Sequence, residues 1–178
     1  MKEEIIIAGF GGQGVLSMGK ILAYSGLMDG KEVTWFPSYG PEQRGGTANV
    51  TVIISDKKIS SPVVDFYDIG VVLNQQSLDK FAPKIKPGGI LIYDKTGIAR
   101  PPQREDITIY PVDLMKATID LGNPKAYNMV AMGALLEIMP YKLPVDKVME
   151  GLRKSIPERY HSLIPLNEEA IIKGRSLL

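Results

Sequence analysis

Apolar positions along this chain alternate between two spacings, and the alternation lays out a series of strands and helices. Residues 4–8 (EIIIA) form a short, largely β-branched run that ends at Gly9, the pattern of a buried parallel strand. From Val15 the apolar residues Leu16, Met18, Ile21, Leu22 and Leu27 recur at helical spacing, and the glycines between 26 and 30 predict where that helix stops. KEVTWFPS reads as a second strand ended by Pro37. RGGTANVTVIIS and KISSPVV read as two strands of a β-hairpin joined at SDKK. YDIGVVLN, ILIYDK (after the turn KPGG) and DITIYPVD are further strands, with the helices QQSLDKFAPKI and DLMKATIDLG between and after them. NPKAYNMVAMGALLEIM predicts a long apolar core helix. Two amphipathic helices, over 145–155 and 168–177, close the chain, joined by the irregular IPERYHSLIPLN. Strands alternating with helices predict a three-layer α/β/α sandwich of Rossmann-like type, with a mostly parallel, mixed sheet because of the hairpin, and a single domain over residues 1–178.

Composition narrows the chemistry. A formal net charge of +1 argues against a broad electrostatic footprint for nucleic acid or an anionic membrane. No apolar run approaches the roughly 18–20 residues that span a bilayer. Glu3 and Glu4 precede the first apolar stretch and no small-residue cleavage site follows, so no signal peptide is expected and the location expected is cytoplasmic. With no cysteine, the chain offers no thiol nucleophile and no cysteine ligand for an iron–sulfur cluster. Its one histidine, His161, sits in a sequence without a nucleophile elbow and reads as a surface or interface residue.

Two stretches carry candidate chemistry. In AGFGGQGV, Gly9, Gly11 and Gly14 fit G-x-G-x-x-G between a strand and a helix. On that reading Gly9 permits a tight turn, Gly11 lets a ligand approach the backbone, Gly14 allows helix–strand contact, and Gly12 adds freedom. The helix amides form an anion site to which the Gln13 side chain contributes; the alternative is a plain strand–helix turn. A dinucleotide would further require an acidic residue at the end of the second strand, where this chain has Trp35 and Phe36. Asp29 and Glu32 fall at the opposite end of that strand, so an NAD(P) or flavin reductase, or a regulatory nucleotide-binding module, is the secondary reading.

The second stretch, FPSYGPEQRGGTANV, follows the second strand at the same sheet edge. Ser38, Tyr39 and Arg44, with the adjacent Gly45 and Gly46, combine directional polar groups with a guanidinium suited to phosphate or carboxylate. Asn128, a poor residue for a helix interior, is either a helix N-cap or a specific contact near the anion surface.

Together GFGGQGV and SYGPEQRGGTANV resemble the signature of the gamma subunit of the 2-oxoacid:ferredoxin oxidoreductases. The likeness extends to ISDKKISSP, GGILIYD and NMVAMGALLE. The corresponding domain of single-chain pyruvate enzymes and the beta chain of indolepyruvate oxidoreductase are similar. The resemblance implies a part in oxidative decarboxylation of a 2-oxoacid to an acyl-CoA, with electrons passing to ferredoxin. It implies that thiamine diphosphate, Mg²⁺ and iron–sulfur clusters belong to alpha, beta and delta partner subunits, that coenzyme A is a substrate, and that the isolated chain has no turnover and forms a homodimer if apolar partner surface is left uncovered. Gly11, Gly12, Gln13, Gly14, Ser38, Tyr39, Arg44, Gly45, Gly46 and Asn128 then form one surface facing coenzyme A or a neighbouring subunit. As a separate gamma chain it leans toward the 2-oxoglutarate or branched-chain 2-oxoacid enzymes.

Overall fold

The computed structural model describes residues 1–40 and 46–178. Among these, six strands form one sheet: β1 (Lys2–Phe10), β2 (Glu32–Tyr39), β3 (Thr47–Ser55), β4 (Tyr67–Val72), β5 (Ile85–Asp94) and β6 (Thr108–Val112). Their order is β2-β3-β1-β4-β5-β6, and β3 alone runs antiparallel to its neighbours. The helices are α1 (Val15–Met28), α2 (Gln75–Phe81), α3 (Leu114–Asp120), α4 (Tyr127–Ile138), α5 (Val145–Ser155) and α6 (Ile164–Arg175).

β1 is apolar at consecutive positions because both of its faces are covered. Ile5 and Ile7 join a core shared with α1, α3, α4, α5 and α6, while Ile6 and Ala8 join a smaller one with Leu78 and Phe81 of α2. The two helical layers are therefore unequal: α2 alone, continued by a 3-10 turn, lies against five helices on the opposite face.

The mixed sheet is as expected, but the hairpin is not where the turn signals put it. Its strands are β2 and β3, paired from Glu32 with Ser55 to Tyr39 with Ala48. KISSPVV forms no strand. β1 occupies the place beside β3, so the chain after Ser55 must cross to β4, and Pro62 together with a turn in which the Ser61 hydroxyl accepts from the Val63 amide (3.1 Å) removes it from any ladder. Pro37 does not end β2, because β2 is an edge strand that can hold a proline without losing its partner, and pairing continues through Val50. β5 starts at Ile85, before the KPGG turn expected to precede it, with a register shift opposite Tyr67 and Ile69. α6 begins at Ile164 rather than 168, and the irregular segment before it contains a 3-10 helix, Glu158–Leu163.

α4 is buried on almost every side, so its sequence shows little polar face. Its closest neighbour is α6, and glycines set the separation. A Cβ on Gly133 would stand 2.1 Å from the Ile171 carbonyl oxygen, and one on Gly174 2.0 Å from that of Val130. The two backbones touch. Asp94, buried at the end of β5, fixes the start of α4: it accepts from the Tyr127 hydroxyl (2.8 Å), the Leu114 amide (3.2 Å) and the Thr96 amide (3.3 Å). Burial first, and the Asp94 charge second, push the Tyr127 phenol far up, so it stays a donor.

Charges gather at the N-terminal edge of the parallel strands. Lys86 bridges Glu4 (2.5 Å) and Asp68 (2.7 Å). Glu3 is buried, accepts from the Tyr141 amide (2.6 Å) through Oε1, and leaves Oε2 without a partner among the described residues. Burial pushes the Glu3 carboxyl up from its ordinary 4.5, and the Asp68 charge adds to this against the pull of the Tyr141 amide and Lys142.

Two measurements test this packing. Gly133→Ala should lower stability by about 1–3 kcal/mol in chemical denaturation, because no side chain can yield to the new methyl group. Glu3 holds its proton in the folded state above the pH at which the unfolded chain releases it. Its contribution is therefore present below about pH 4.5 and lost as pH rises through the folded-state value. Glu3→Gln, which keeps the acceptor for Tyr141, should melt higher than the natural chain at pH 8, with the gap closing toward pH 4.

Candidate functional site: the cleft at the glycine loop

β1 ends at Phe10 and α1 starts at Val15, leaving four residues to turn the chain over the sheet edge. Gly12 and Gly14 take positive φ, 98° and 75°. Gln13 holds the turn closed: its Oε1 accepts from the Phe10 amide (2.6 Å) and its Nε2 donates to the Leu73 carbonyl just beyond β4 (3.4 Å). A Cβ on Gly9 would lie 2.5 Å from that Oε1. The Gln13 side-chain amide, expected to face a ligand, is engaged inside the loop.

Gly11 is engaged as well. Its amide donates to the Gly46 carbonyl (2.8 Å), which fastens the glycine loop to the connection between β2 and β3. Gly14 makes its close approach to α4 rather than to a strand: a Cβ there would fall 2.5 Å from Asn128 Nδ2, which donates to the Gly14 carbonyl at 3.4 Å. Asn128 is thus a contact behind the loop, and Ala126 holds the N-cap position. Gly12 is the open point, with nothing within 4 Å of a Cβ placed on it.

The loop and the described ends of the β2–β3 connection border a cleft of about 530 Å³ lined by Phe10, Gly11, Gly12, Gly14, Val15, Leu16, Ser17, Tyr39, Gly40, Gly46, Thr47 and Ala48. That volume falls within the range of small-molecule sites, about 300–1,000 Å³. Gly14 offers no side-chain cap and the first intrahelical bond is Met18 N–H to the Gly14 carbonyl (2.9 Å), so among the described residues the amides of residues 15–17 have no acceptor. No acidic residue occupies the first turn of α1 to neutralise its dipole. The described lining has no charged side chain, and Phe10 and Tyr39 give it aromatic walls. Such a cleft accepts an anionic or carbonyl oxygen on backbone donors beside an apolar surface.

Of the residues expected at this surface, Gly11, Gly12, Gly14, Tyr39 and Gly46 meet in the cleft. Ser38 alternates to the other side of β2 and does not line it. Arg44 and Gly45 lie outside the described residues. Phe10, Val15, Leu16, Ser17, Gly40, Thr47 and Ala48 were not anticipated, though all lie within the two glycine motifs or in the two residues after the first. Asp29 stands at the C-terminus of α1, where it accepts from the Tyr141 hydroxyl, and among the described residues the C-terminal half of β2 carries no acidic side chain for the ribose of a dinucleotide.

Residues 4–177 match the family model described as pyruvate ferredoxin/flavodoxin oxidoreductase. The chain belongs to this family. It is 42% identical over 150 residues to ketoisovalerate oxidoreductase subunit VorA of Methanothermobacter marburgensis, covering 84% of this chain and 31% of that one. The chain therefore spans about a third of the length of such relatives. The 2-oxoglutarate:ferredoxin oxidoreductase of Magnetococcus marinus, solved with 2-oxoglutarate, coenzyme A and succinyl-CoA bound, superposes with a TM-score of 0.87 at 29% identity, covering 99% of this chain and 31% of that chain. The keto/oxoacid ferredoxin oxidoreductase gamma subunit of Geobacter sulfurreducens PCA gives 0.82 at 29% identity, covering 99% and 96%. The same domain thus occurs both inside a longer chain and as a separate gamma subunit, and a free-standing reductase is not favoured.

The internal role of Gln13 can be tested directly. Gln13→Ala should speed amide hydrogen exchange at Phe10 and Gly11 and lower stability by about 1–2 kcal/mol, the worth of two neutral hydrogen bonds, while leaving exchange in α6 unchanged.

Proposed function

We propose that this chain, a single gamma-type unit over residues 1–178, works in the cytoplasm as the accessory subunit of a 2-oxoacid:ferredoxin oxidoreductase. It assembles with alpha, beta and delta partners that carry thiamine diphosphate, Mg²⁺ and the iron–sulfur clusters, and coenzyme A is the acyl acceptor. The observation that carries this reading is the glycine-loop cleft, built by the two motifs that define the resemblance, in a fold shared with an enzyme solved with coenzyme A bound. A chain without cysteine supplies no thiolate to an iron–sulfur cluster, so its donor set does not fit that group. Among the described residues, no group of three His, Asp or Glu is arranged to hold a metal.

The chain's own contribution is binding and placement. Backbone amides at the start of α1 attract an anionic or carbonyl oxygen, and Phe10 and Tyr39 cover an apolar part of the same molecule. Arg44 adds the charge partner. A 2-oxoacid thus reacts on the neighbouring subunits while this cleft faces coenzyme A or the subunit boundary.

The test is anaerobic purification through a tag on this chain, with assay for thiamine diphosphate, iron and coenzyme A-dependent dye reduction by a panel of 2-oxoacids. The expected result is co-elution of large subunits with activity. In that assembly, Tyr39→Ala and Arg44→Ala should each raise the KM for coenzyme A about tenfold, a loss of about 1.4 kcal/mol, with assembly intact. A bare chain from an active extract overturns the subunit reading, and unchanged kinetics in both variants removes coenzyme A from this cleft.

A further inference from the structure

Beyond the glycine-loop cleft, the outward side of α1 borders two more depressions. Ser17 belongs both to that cleft and to a second of about 410 Å³ against the segment after α5. Lys20 belongs both to this second one and to a third of about 390 Å³ against β2. The three form one groove running along α1. One wall is Trp35 on the edge strand, and the other is Tyr160 and Leu163 in the 3-10 helix before α6. Its apolar side chains are uncovered: Leu27 is 51% exposed, Trp35 40%, Tyr160 45% and Leu163 46%.

The floor has a particular spacing. Ser17, Lys20, Tyr24 and Leu27 follow each other at steps of three, four and three, the stripe that one helix presents to another. On its opposite side α1 packs against α5 and β3, and among the described residues the depressions along this stripe are lined by no second α-helix in the stretch facing β2. From Ser17 to Leu27 the floor measures about 15 Å, roughly three helical turns.

Charge selects the occupant. Lys20 Nζ stands 5.9 Å from the centre of the Tyr24 ring, and the Arg159 guanidinium 4.9 Å from that of Tyr160. Lys20 thus lies over an aromatic ring of the floor and Arg159 over one of the wall, and among the described residues neither forms an ion pair. The second wall, RKSIPERYHSL over residues 153–163, carries three cations against one carboxylate. A two-fold contact of this groove with the same groove of a second copy would set these cations against one another. Tyrosine, tryptophan and arginine around an apolar centre are the residues that dominate protein–protein contacts.

We propose that the α1 groove is the docking site for an acidic amphipathic helix of a partner subunit. Its apolar face inserts between Trp35 and Leu163, and its carboxylates meet Lys20 and Arg159. This inference rests on the subunit reading above, and it adds a location and a chemistry to it.

The test uses the complex purified through this chain, with the co-eluting subunits identified by mass spectrometry. A photo-cross-linking amino acid in place of Leu27 should join one acidic helical segment of one large subunit. The double charge reversal Lys20→Glu with Arg159→Glu should cut recovery of that subunit at least tenfold at low salt. Since both side chains are exposed, the melting temperature of the isolated chain should stay as it was. Trp35 is the only tryptophan, so its emission reports the groove in the isolated chain, and coenzyme A should leave that emission unchanged. Assembly untouched by the charge reversal, a cross-link to a second copy, or a coenzyme A-dependent shift of Trp35 emission each overturns the proposal while the subunit reading stands. A natural chain that recovers no large subunit overturns both.

Discussion

Nine residues of β3 lie antiparallel to β1 with Phe10 opposite Thr47, and the Gly11 amide carries that pairing one step further by donating to the Gly46 carbonyl. This register decides what the glycine loop faces. In a fully parallel arrangement the strand beside β1 would begin at the opposite edge of the sheet, and the connection leading into it would run away from the glycine loop. Here the antiparallel strand begins at the same edge, so Gly46 meets the glycine loop beside the start of α1. A slip of one residue would turn Val50, Val52 and Ile54 out of the larger core and offer Thr51 and Ser55 to it. The hydrophobic pattern of β3 therefore fixes the cleft as firmly as the glycines do.

The loop is also held from behind. Asp94 gathers the starts of α3 and α4, α4 carries Asn128 to the Gly14 carbonyl, and Gln13 ties the turn to the residue after β4. Two side chains that looked like ligand contacts are thereby devoted to shaping the backbone. Among the described residues, the cleft is left with main-chain donors and aromatic walls as its means of recognition. That division agrees with the accessory role proposed above, in which the cleft presents a shape for binding.

Much of this was legible in the sequence because local rules and tertiary structure agree there. β1, α1, α3 and α5 carry clear periodicity, and Gly30 and Gly122 close α1 and α3 with positive φ as their positions suggest. The misses share a cause: they depend on which strand lies next to which. KISSPVV has strand composition, yet β1 had already taken the edge of β3, and no local signal records that. Pro37 would break an interior strand, and only its place at the sheet edge makes it harmless. Asn128 and Gln13 could be recognised as unusual, but their partners, Gly14 and Leu73, are separated from them by 114 and 60 positions.

Pro37 has one more effect. An edge strand with exposed aromatic residues is the kind of surface on which another chain can build, strand after strand, into a fibre. Proline has no N–H to offer, so the row of donors that such growth requires is broken in the middle of β2. The molecule can keep Trp35 and Tyr39 available for side-chain recognition and still resist being used as a template. Aggregation resistance and partner recognition are thus assigned to different atoms of one strand.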